Sequence, residues 1–97
     1  MRISYVYILE CADGSYYTGV TTDLDQRMQQ HNNGTFKGSY THSRRPVILR
    51  FYCDFTNIEQ AFEYEKMIKR WSRAKKECLI NEEYDKLPEL AKKKFNK

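Results

Sequence analysis

The strongest constraint on the fold is a pair of strand-like runs near the N-terminus that are separated by a very short turn. Residues 3–10 and 15–21 are rich in β-branched and aromatic side chains, and Asp13 and Gly14 stand between them. Such closely joined runs predict an antiparallel hairpin. A two-residue loop over Asp13 and Gly14 would place Tyr7 and Tyr17 on opposite faces of the sheet, whereas a three-residue loop over 12–14 would place both on one face. The hairpin residues by themselves leave both loops open.

A helix and a third strand are predicted after the hairpin. Thr22 with Asp25 resembles a capping box, which predicts a helix that runs to about Asn33 and stops at Gly34. Residues 34–45 form a polar, basic loop, and the residues 47–54 that follow Pro46 have the composition of a strand.

A second capping box, Thr56 with Glu59, predicts a second helix. Apolar residues recur along it at helical spacing, and we expect the stripe that faces the core to comprise Ile58, Ala61, Phe62, Ile68 and Trp71 or Ser72. Glu65 falls inside this stripe. Because a buried carboxylate is costly unless it is paired, Glu65 requires a cation or hydrogen-bond donors, and it is a candidate functional residue.

The remaining residues predict two short helices, at 73–80 and from 82 to about 94. Ninety-seven residues suffice for one domain with one core, and neither a linker nor a repeat divides them. We therefore predict an α+β fold, in which a small three-stranded, antiparallel-containing sheet is flanked by helices in the order ββαβα. We assign the domain to residues 1–80 and treat residues 81–97 as its C-terminal helical extension.

Several classes of function fit the sequence poorly. It contains no P-loop, no G-x-G-x-x-G motif and no pair of Cys or His at metal-ligand spacing. The cysteines, Cys11, Cys53 and Cys78, are odd in number and widely spaced, so we expect buried thiols rather than a disulfide framework. No apolar run approaches the roughly 20 residues that span a bilayer, and the N-terminus does not resemble a signal peptide. We expect a cytoplasmic protein that does not associate with a membrane.

The positive charge is unevenly distributed. The formal net charge is only +4, but residues 26–53 contain no acid and five bases, and residues 66–76 contain no acid and six bases. If these two basic windows share a face, they form a footprint for a polyanion, and nearby tyrosines would offer stacking surface. A solvated helix face would explain the same charges.

A set of side chains on the predicted elements suits phosphodiester hydrolysis. Tyr7 and Tyr17 stand on the two hairpin strands, Arg27 and His31 lie one turn apart on the first helix, and Glu65 lies on the second. One carboxylate with water ligands can hold Mg²⁺ or Mn²⁺, and a guanidinium can neutralise phosphate charge. A tyrosine or histidine can accept the proton of the attacking water.

This order of residues resembles the GIY-YIG nuclease superfamily, whose two tripeptides lie on the first two strands about ten residues apart. The tripeptides here are YVY at residues 5–7 and YTG at residues 17–19, followed by Arg27 and then by Glu65 in the helix after the third strand. The short length and the stretch IKRWSRAKKECLI at residues 68–80 look most like the small stand-alone bacterial members. Tyr5 and Thr18 depart from the name-giving motif. Asn81 is the nearest match to an asparagine that relatives carry after the glutamate helix.

The resemblance implies a metal-dependent DNA endonuclease and favours the three-residue hairpin loop. It makes Tyr17 the leading general base, Tyr7 its helper in positioning water, Arg27 the phosphate clamp, and Glu65 the sole protein ligand of Mg²⁺ or Mn²⁺. His31 is the rival proton acceptor, because its unperturbed pKa of about 6.5 suits neutral pH better than the roughly 10 of a phenol.

We expect the partner to be DNA that is branched, nicked or single-stranded at its ends, cleaved with low sequence specificity in repair or recombination. The residues that we expect to contact it are Gly19, Lys37, Tyr40, His42, Arg44, Arg45, Lys69, Arg70 and Arg73. Two alternatives remain: a non-catalytic nucleic-acid-binding module, or a subunit completed by a protein partner or by a second copy.

Overall fold

An antiparallel three-stranded sheet forms the centre of the protein, and our computed structural model describes residues 2–87 of it. The strands are β1 (Ser4–Glu10), β2 (Tyr16–Thr21) and β3 (Ile48–Phe55), in the spatial order β2-β1-β3. Both neighbours pair with β1 in antiparallel fashion, so β2 and β3 are the edge strands of the described sheet. The predicted α+β class is confirmed.

The hairpin between β1 and β2 has the longer of the two loops. Leu9 pairs with Tyr17, and the Cys11 backbone N–H donates to the Ser15 carbonyl oxygen over 2.8 Å. Gly14 adopts φ 85°, a left-handed conformation that other residues rarely tolerate. The resulting register places Tyr7 and Tyr17 on the same face of the sheet.

The three helices are α1 (Leu24–Asn33), α2 (Ile58–Lys69) and α3 (Arg73–Ile80). The first two are capped one residue later than the predicted capping boxes: the side chain of Asp23 accepts from the Gln26 N–H, and that of Asn57 accepts from the N–H groups of Glu59 and Gln60. The reason is chemical, since short carboxylate and amide oxygens compete well with threonine for this position.

The core lies on both sides of the sheet. Val6 and Ile8 of β1 pack against a group from α2 and α3 that comprises Ala61, Tyr64, Ile68 and Leu79. On the opposite face Tyr7 and Leu9 pack with Cys11 and Val47, and Leu24 and Met28 of α1 cover them. The side chains of β1 are therefore buried on both faces, and α1 and α2 lie on opposite sides of the sheet.

The core-facing stripe of α2 differs from the predicted one. Ile58 and Phe62 are exposed, with 42% and 46% of their surface accessible, whereas Tyr64 is buried against Phe55 at a ring distance of 5.3 Å. Because Ala61, Tyr64 and Ile68 face the sheet, Ile58 and Phe62 are turned toward one flank of the helix. Trp71 is half-buried, and Ser72 caps α3.

The C-terminal prediction and the cysteine prediction were wrong in part. A short 3-10 turn at Tyr84–Lys86 stands where the helix from residue 82 was expected, and the rest of that predicted helix lies outside the described residues. Cys11 is buried, but Cys53 and Cys78 are only partly so, and these three described cysteines form no disulfide with one another. No helix within residues 2–87 is both long enough and apolar enough to cross a membrane.

Candidate active site

The candidate site lies at the outer edge of β2. Tyr7 projects from the central strand β1 and crosses Gly19, its partner on β2. A Cβ atom at residue 19 would stand 2.6 Å from the Cζ atom of Tyr7, which no packed side chain tolerates. Gly19 therefore provides clearance for the Tyr7 ring, and its predicted contact with DNA stays a prediction.

A buried hydrogen-bonded chain begins at the Tyr7 hydroxyl. This oxygen lies 3.1 Å from Nε2 of His31, and Nδ1 of His31 lies 2.8 Å from Oγ1 of Thr41. All three residues are buried. Both ring nitrogens of His31 thus have a partner within the protein.

Burial keeps both titratable groups of this chain neutral at neutral pH. Burial raises the pKa of Tyr7 to about 12, the proximity of Tyr17 adds to the rise, and the nearby Arg27 guanidinium opposes it. Burial, followed by Arg27, lowers the pKa of His31. Tyr7 is consequently a phenol and His31 an uncharged imidazole.

Aromatic rings enclose this chain on the side of the loop 34–45. Tyr17 is half-buried, with its ring 5.5 Å from that of His31 and stacked on Tyr40 at 6.1 Å and 21°. Phe36 packs against His31 at 5.3 Å. Sequence reasoning missed Phe36 and Thr41, because a loop has no periodicity that marks which of its side chains turn inward.

Arg27 lies on α1 with its guanidinium beside the Phe36 ring, 5.4 Å from the centroid. It forms no ion pair with any carboxylate of residues 2–87. Its charge therefore remains available to an anion at the edge of β2.

Glu65 reaches the same edge from α2, on the other side of the sheet. It is 8% exposed, and its Oε2 lies 2.9 Å from Nζ of Lys69, one helical turn later. This hydrogen bond raises the pKa of Lys69, and the proximity of Tyr17 adds to the rise. The sequence predicted that Glu65 needs a cation or hydrogen-bond donors, and Lys69 is that cation. Lys69 was also one of the residues predicted to contact DNA.

The candidate site has too few acidic side chains to coordinate a metal ion with protein ligands alone. No group of three or more His, Cys, Asp or Glu side chains suited to a metal occurs within residues 2–87. A single carboxylate fits Mg²⁺ or Mn²⁺, since Mg²⁺ commonly keeps several waters and takes one or two protein carboxylates. Glu65 is the residue that would hold the ion.

Two arginines that were predicted to contact DNA form hydrogen bonds with the hairpin loop. Nε of Arg44 donates to Oδ2 of Asp13 over 3.0 Å, and its guanidinium covers the Tyr40 ring at 3.9 Å. Arg73 donates to the Gly14 carbonyl and lies 3.3 Å from Oε2 of Glu77. These two side chains clamp the hairpin loop from opposite sides.

The other predicted contact residues lie around the site or away from it. Nε of Arg45 donates to the His42 carbonyl over 2.8 Å, whereas Lys37 and Arg70 are exposed side chains. Asn81 ends α3, and its neighbours Ile80 and Glu82 line a cleft along β3, at the edge of the sheet opposite to Tyr17. The structure thus does not bring Asn81 to the candidate site.

This combination of a hairpin bearing two tyrosines and helices bearing arginine and glutamate is that of a known class of domain. The GIY-YIG catalytic domain family matches residues 3–78. The chain therefore belongs to the GIY-YIG family, a class of nuclease domain that generally depends on a divalent metal and binds nucleic acid.

Within that family the chain is similar to small proteins named UPF0213. The UPF0213 protein of Bacillus pumilus is 46% identical over 79 residues, covering 80% of this chain and 79% of that one. The one from Halobacterium salinarum is 47% identical over 76 residues, covering 78% and 97%. A solution NMR structure of a UPF0213 protein from Bacillus halodurans is 46% identical, with a TM-score of 0.53 over 81% of this chain and 83% of that one. An E. faecalis protein solved by NMR is 32% identical, with a TM-score of 0.60 over 91% and 93%.

Proposed function

We propose that the protein is an endonuclease that hydrolyses a DNA phosphodiester bond with an activated water. The observation that carries the proposal is the convergence of Tyr7, Tyr17, Arg27 and Glu65 on one edge of β2, although they come from four different elements. A guanidinium with no carboxylate partner among residues 2–87, together with a nearly buried carboxylate at the same edge of the sheet, is the charge pattern that a phosphate and a divalent cation require.

Tyr17 is the general base in this proposal. Tyr7 holds its own proton because its pKa is about 12, and His31 has both nitrogens occupied and a lowered pKa. Tyr17 is the remaining proton acceptor of the cluster that is accessible to solvent and close to the cation Lys69. Tyr7 then positions the water rather than deprotonating it, and His31 holds the Tyr7 hydroxyl in place.

Arg27 binds the scissile phosphate and Glu65 holds the ion. An ion bound there would polarise the phosphoryl oxygens and stabilise the charge that develops in the transition state. Glu65 supplies the one protein oxygen ligand, and Arg27 neutralises the phosphate from the opposite side of β2.

The test is purified protein with Mg²⁺ or Mn²⁺ on a panel of branched, nicked, single-stranded and duplex DNA. We expect cleavage that Glu65→Gln and Tyr17→Phe each reduce at least about a hundredfold. The matched controls are Glu63→Gln on the same helix and Tyr52→Phe on β3, which should cleave normally. Cleavage that survives in both site variants would come from a contaminant and would refute the proposal.

The finer properties are also proposals. We propose that the substrates are branched, nicked or single-stranded at their ends, that recognition has low sequence specificity, and that the protein acts in DNA repair or recombination in the cytoplasm. Low sequence specificity is supported because the described residues form one small domain, in which recognition and chemistry would share a single scaffold.

The ion pair between Glu65 and Lys69 favours a second candidate function. Because a lysine neutralises the carboxylate, the protein could bind nucleic acid without a metal and without cleavage, alone or as one subunit of a complex. Salt-dependent DNA binding that is unaffected by Mn²⁺, with no cleavage of any substrate, would support this candidate over the nuclease.

A further inference from the structure

Four residues form one stripe along α2. Ile58, Phe62, Glu65 and Lys69 are separated by four, three and four residues, the spacing that aligns side chains on one flank of a helix. Two of them, Glu65 and Lys69, belong to the candidate site. The other two are large apolar side chains that are more than two-fifths exposed.

The contacts at the two ends of α2 show how the stripe lies relative to β2. Phe55, which precedes α2, pairs with Ser4 near the Thr21 end of β2, whereas Arg73, which follows α2, contacts Gly14 in the hairpin loop. The helix therefore runs alongside β2 from its Thr21 end toward the hairpin. Phe62 lies one turn before Glu65 on the same flank, about 4.5 Å along the helix axis.

We infer that Ile58 and Phe62 form a stacking ledge for an unpaired nucleobase of DNA, adjacent to the phosphate that is cleaved. This inference rests on the proposed function, because that function places DNA along the edge of β2. The short separation along the helix places Phe62 within reach of a nucleotide that neighbours the scissile phosphate. Lys69 and Arg27 supply positive charge for the backbone, and the exposed Phe62 ring supplies the apolar face on which a base stacks.

The ledge restricts which DNA can bind at the candidate site. A base can reach Phe62 only if it is not paired within a duplex, so the ledge selects DNA with an unpaired nucleotide next to the scissile bond. Stacking does not depend on base identity, because every base has a π face, and recognition of this kind is tolerant of sequence.

The experiment measures binding without cleavage, in the presence of EDTA. A fluorescent single strand of about 12 nucleotides is titrated with the protein, and the same titration uses an abasic strand of equal length. We expect Phe62→Ala to raise the Kd for the normal strand about tenfold and to leave that for the abasic strand unchanged, because only a base can stack. Phe62→Tyr should keep the wild-type Kd within about twofold, and Phe62→Leu should behave like Phe62→Ala, since the ring and not apolar surface is required.

The matched control is Tyr52→Ala, which removes an aromatic side chain that is 56% exposed on the opposite edge strand. It should leave both Kd values unchanged. An unchanged Kd in Phe62→Ala, or an equal loss for both strands, would overturn the inference. So would a dimer in light scattering that Phe62→Ala dissociates without any change in DNA binding. Failure of the nuclease proposal is recognised separately, as absence of cleavage by the wild-type protein with metal.

Discussion

At the scale of single residues, the candidate site depends on Gly19, because a larger residue at this position would leave no room for the Tyr7 ring. Tyr7 comes from the central strand, and its hydroxyl reaches the edge of the sheet across Gly19. From there it meets His31, whose second nitrogen is held by Thr41. A tyrosine on the interior strand is thereby connected to a surface site.

Gly19→Ala should displace Tyr7. The added methyl group overlaps the phenol ring, and overpacking of this kind costs about 1–3 kcal/mol. We expect a lower urea midpoint and the loss of the Tyr7 to His31 hydrogen bond in NMR spectra. Thr22→Ala, at an exposed position beyond the end of β2, is the control and should leave both unchanged. Wild-type stability in Gly19→Ala would show that the ring can move aside at no cost.

His31 should make stability depend on pH. Its pKa is lowered in the folded protein, so the unfolded chain takes up a proton first as the pH falls below about 6.5. The free energy of unfolding is therefore fully retained above that pH and should decrease below it, by at most about 1.4 kcal/mol per pH unit for one proton. Urea titrations between about pH 7 and 5 measure this slope. It should be smaller in His31→Gln and unchanged in His42→Gln, the only other histidine, and equal slopes in both variants would assign the effect to other groups.

At the scale of elements, α2 serves the core and the candidate site with different flanks. Ala61, Tyr64 and Ile68 face the sheet, whereas Glu65 and Lys69 face the edge of β2. The order, glutamate four residues before lysine, is the favourable one for a helix. The same pair that stabilises the helix also neutralises the proposed metal ligand.

Lys69→Met should strengthen metal binding. The ion pair with Glu65 is broken when a divalent ion binds, and an ion pair whose lysine is largely exposed is worth at most about 1 kcal/mol, which corresponds to about a fivefold change in Kd. Calorimetric titration with Mn²⁺ measures the change. Lys66→Met is the control because it removes an exposed lysine of the same helix that does not touch Glu65. Weaker Mn²⁺ binding in Lys69→Met would mean that Lys69 orients Glu65 for the ion.

At the scale of the whole molecule, some side chains of the two basic windows form ion pairs within the protein, whereas others are exposed and can bind a polyanion. Arg44 and Arg73 are tied to Asp13 and Glu77, whereas Lys37 and Arg70 are exposed. Arg70→Ala should therefore reduce the slope of log K against log salt for DNA binding by about 1, and Arg73→Ala should leave this slope unchanged while lowering stability. Anisotropy titrations at several salt concentrations measure the slope, and equal changes in both variants would contradict this division.

Local signals in the sequence predicted most of the fold, and long-range geometry accounts for what they missed. Strand runs, Gly14 and Gly34 located the elements to within one residue at most ends, because strand composition and left-handed glycines act locally. The rotation of α2 was mispredicted because Ile58 and Phe62 fit an apolar pattern whichever flank they occupy. Thr41 and Phe36 were missed for a similar reason: only the folded loop shows that they approach His31.

The assembly of the candidate site around an edge strand has a consequence for inhibition. The side chains of Tyr7, Tyr17 and Arg27 lie on one face of the sheet beside β2, and that of Glu65 lies on the other face. An extended peptide that added itself to β2 as a fourth strand would pass between these groups and block them, whereas the same addition to β3 would leave them open. The free backbone groups that usually make an edge strand an aggregation hazard would here be a target for a competitive ligand.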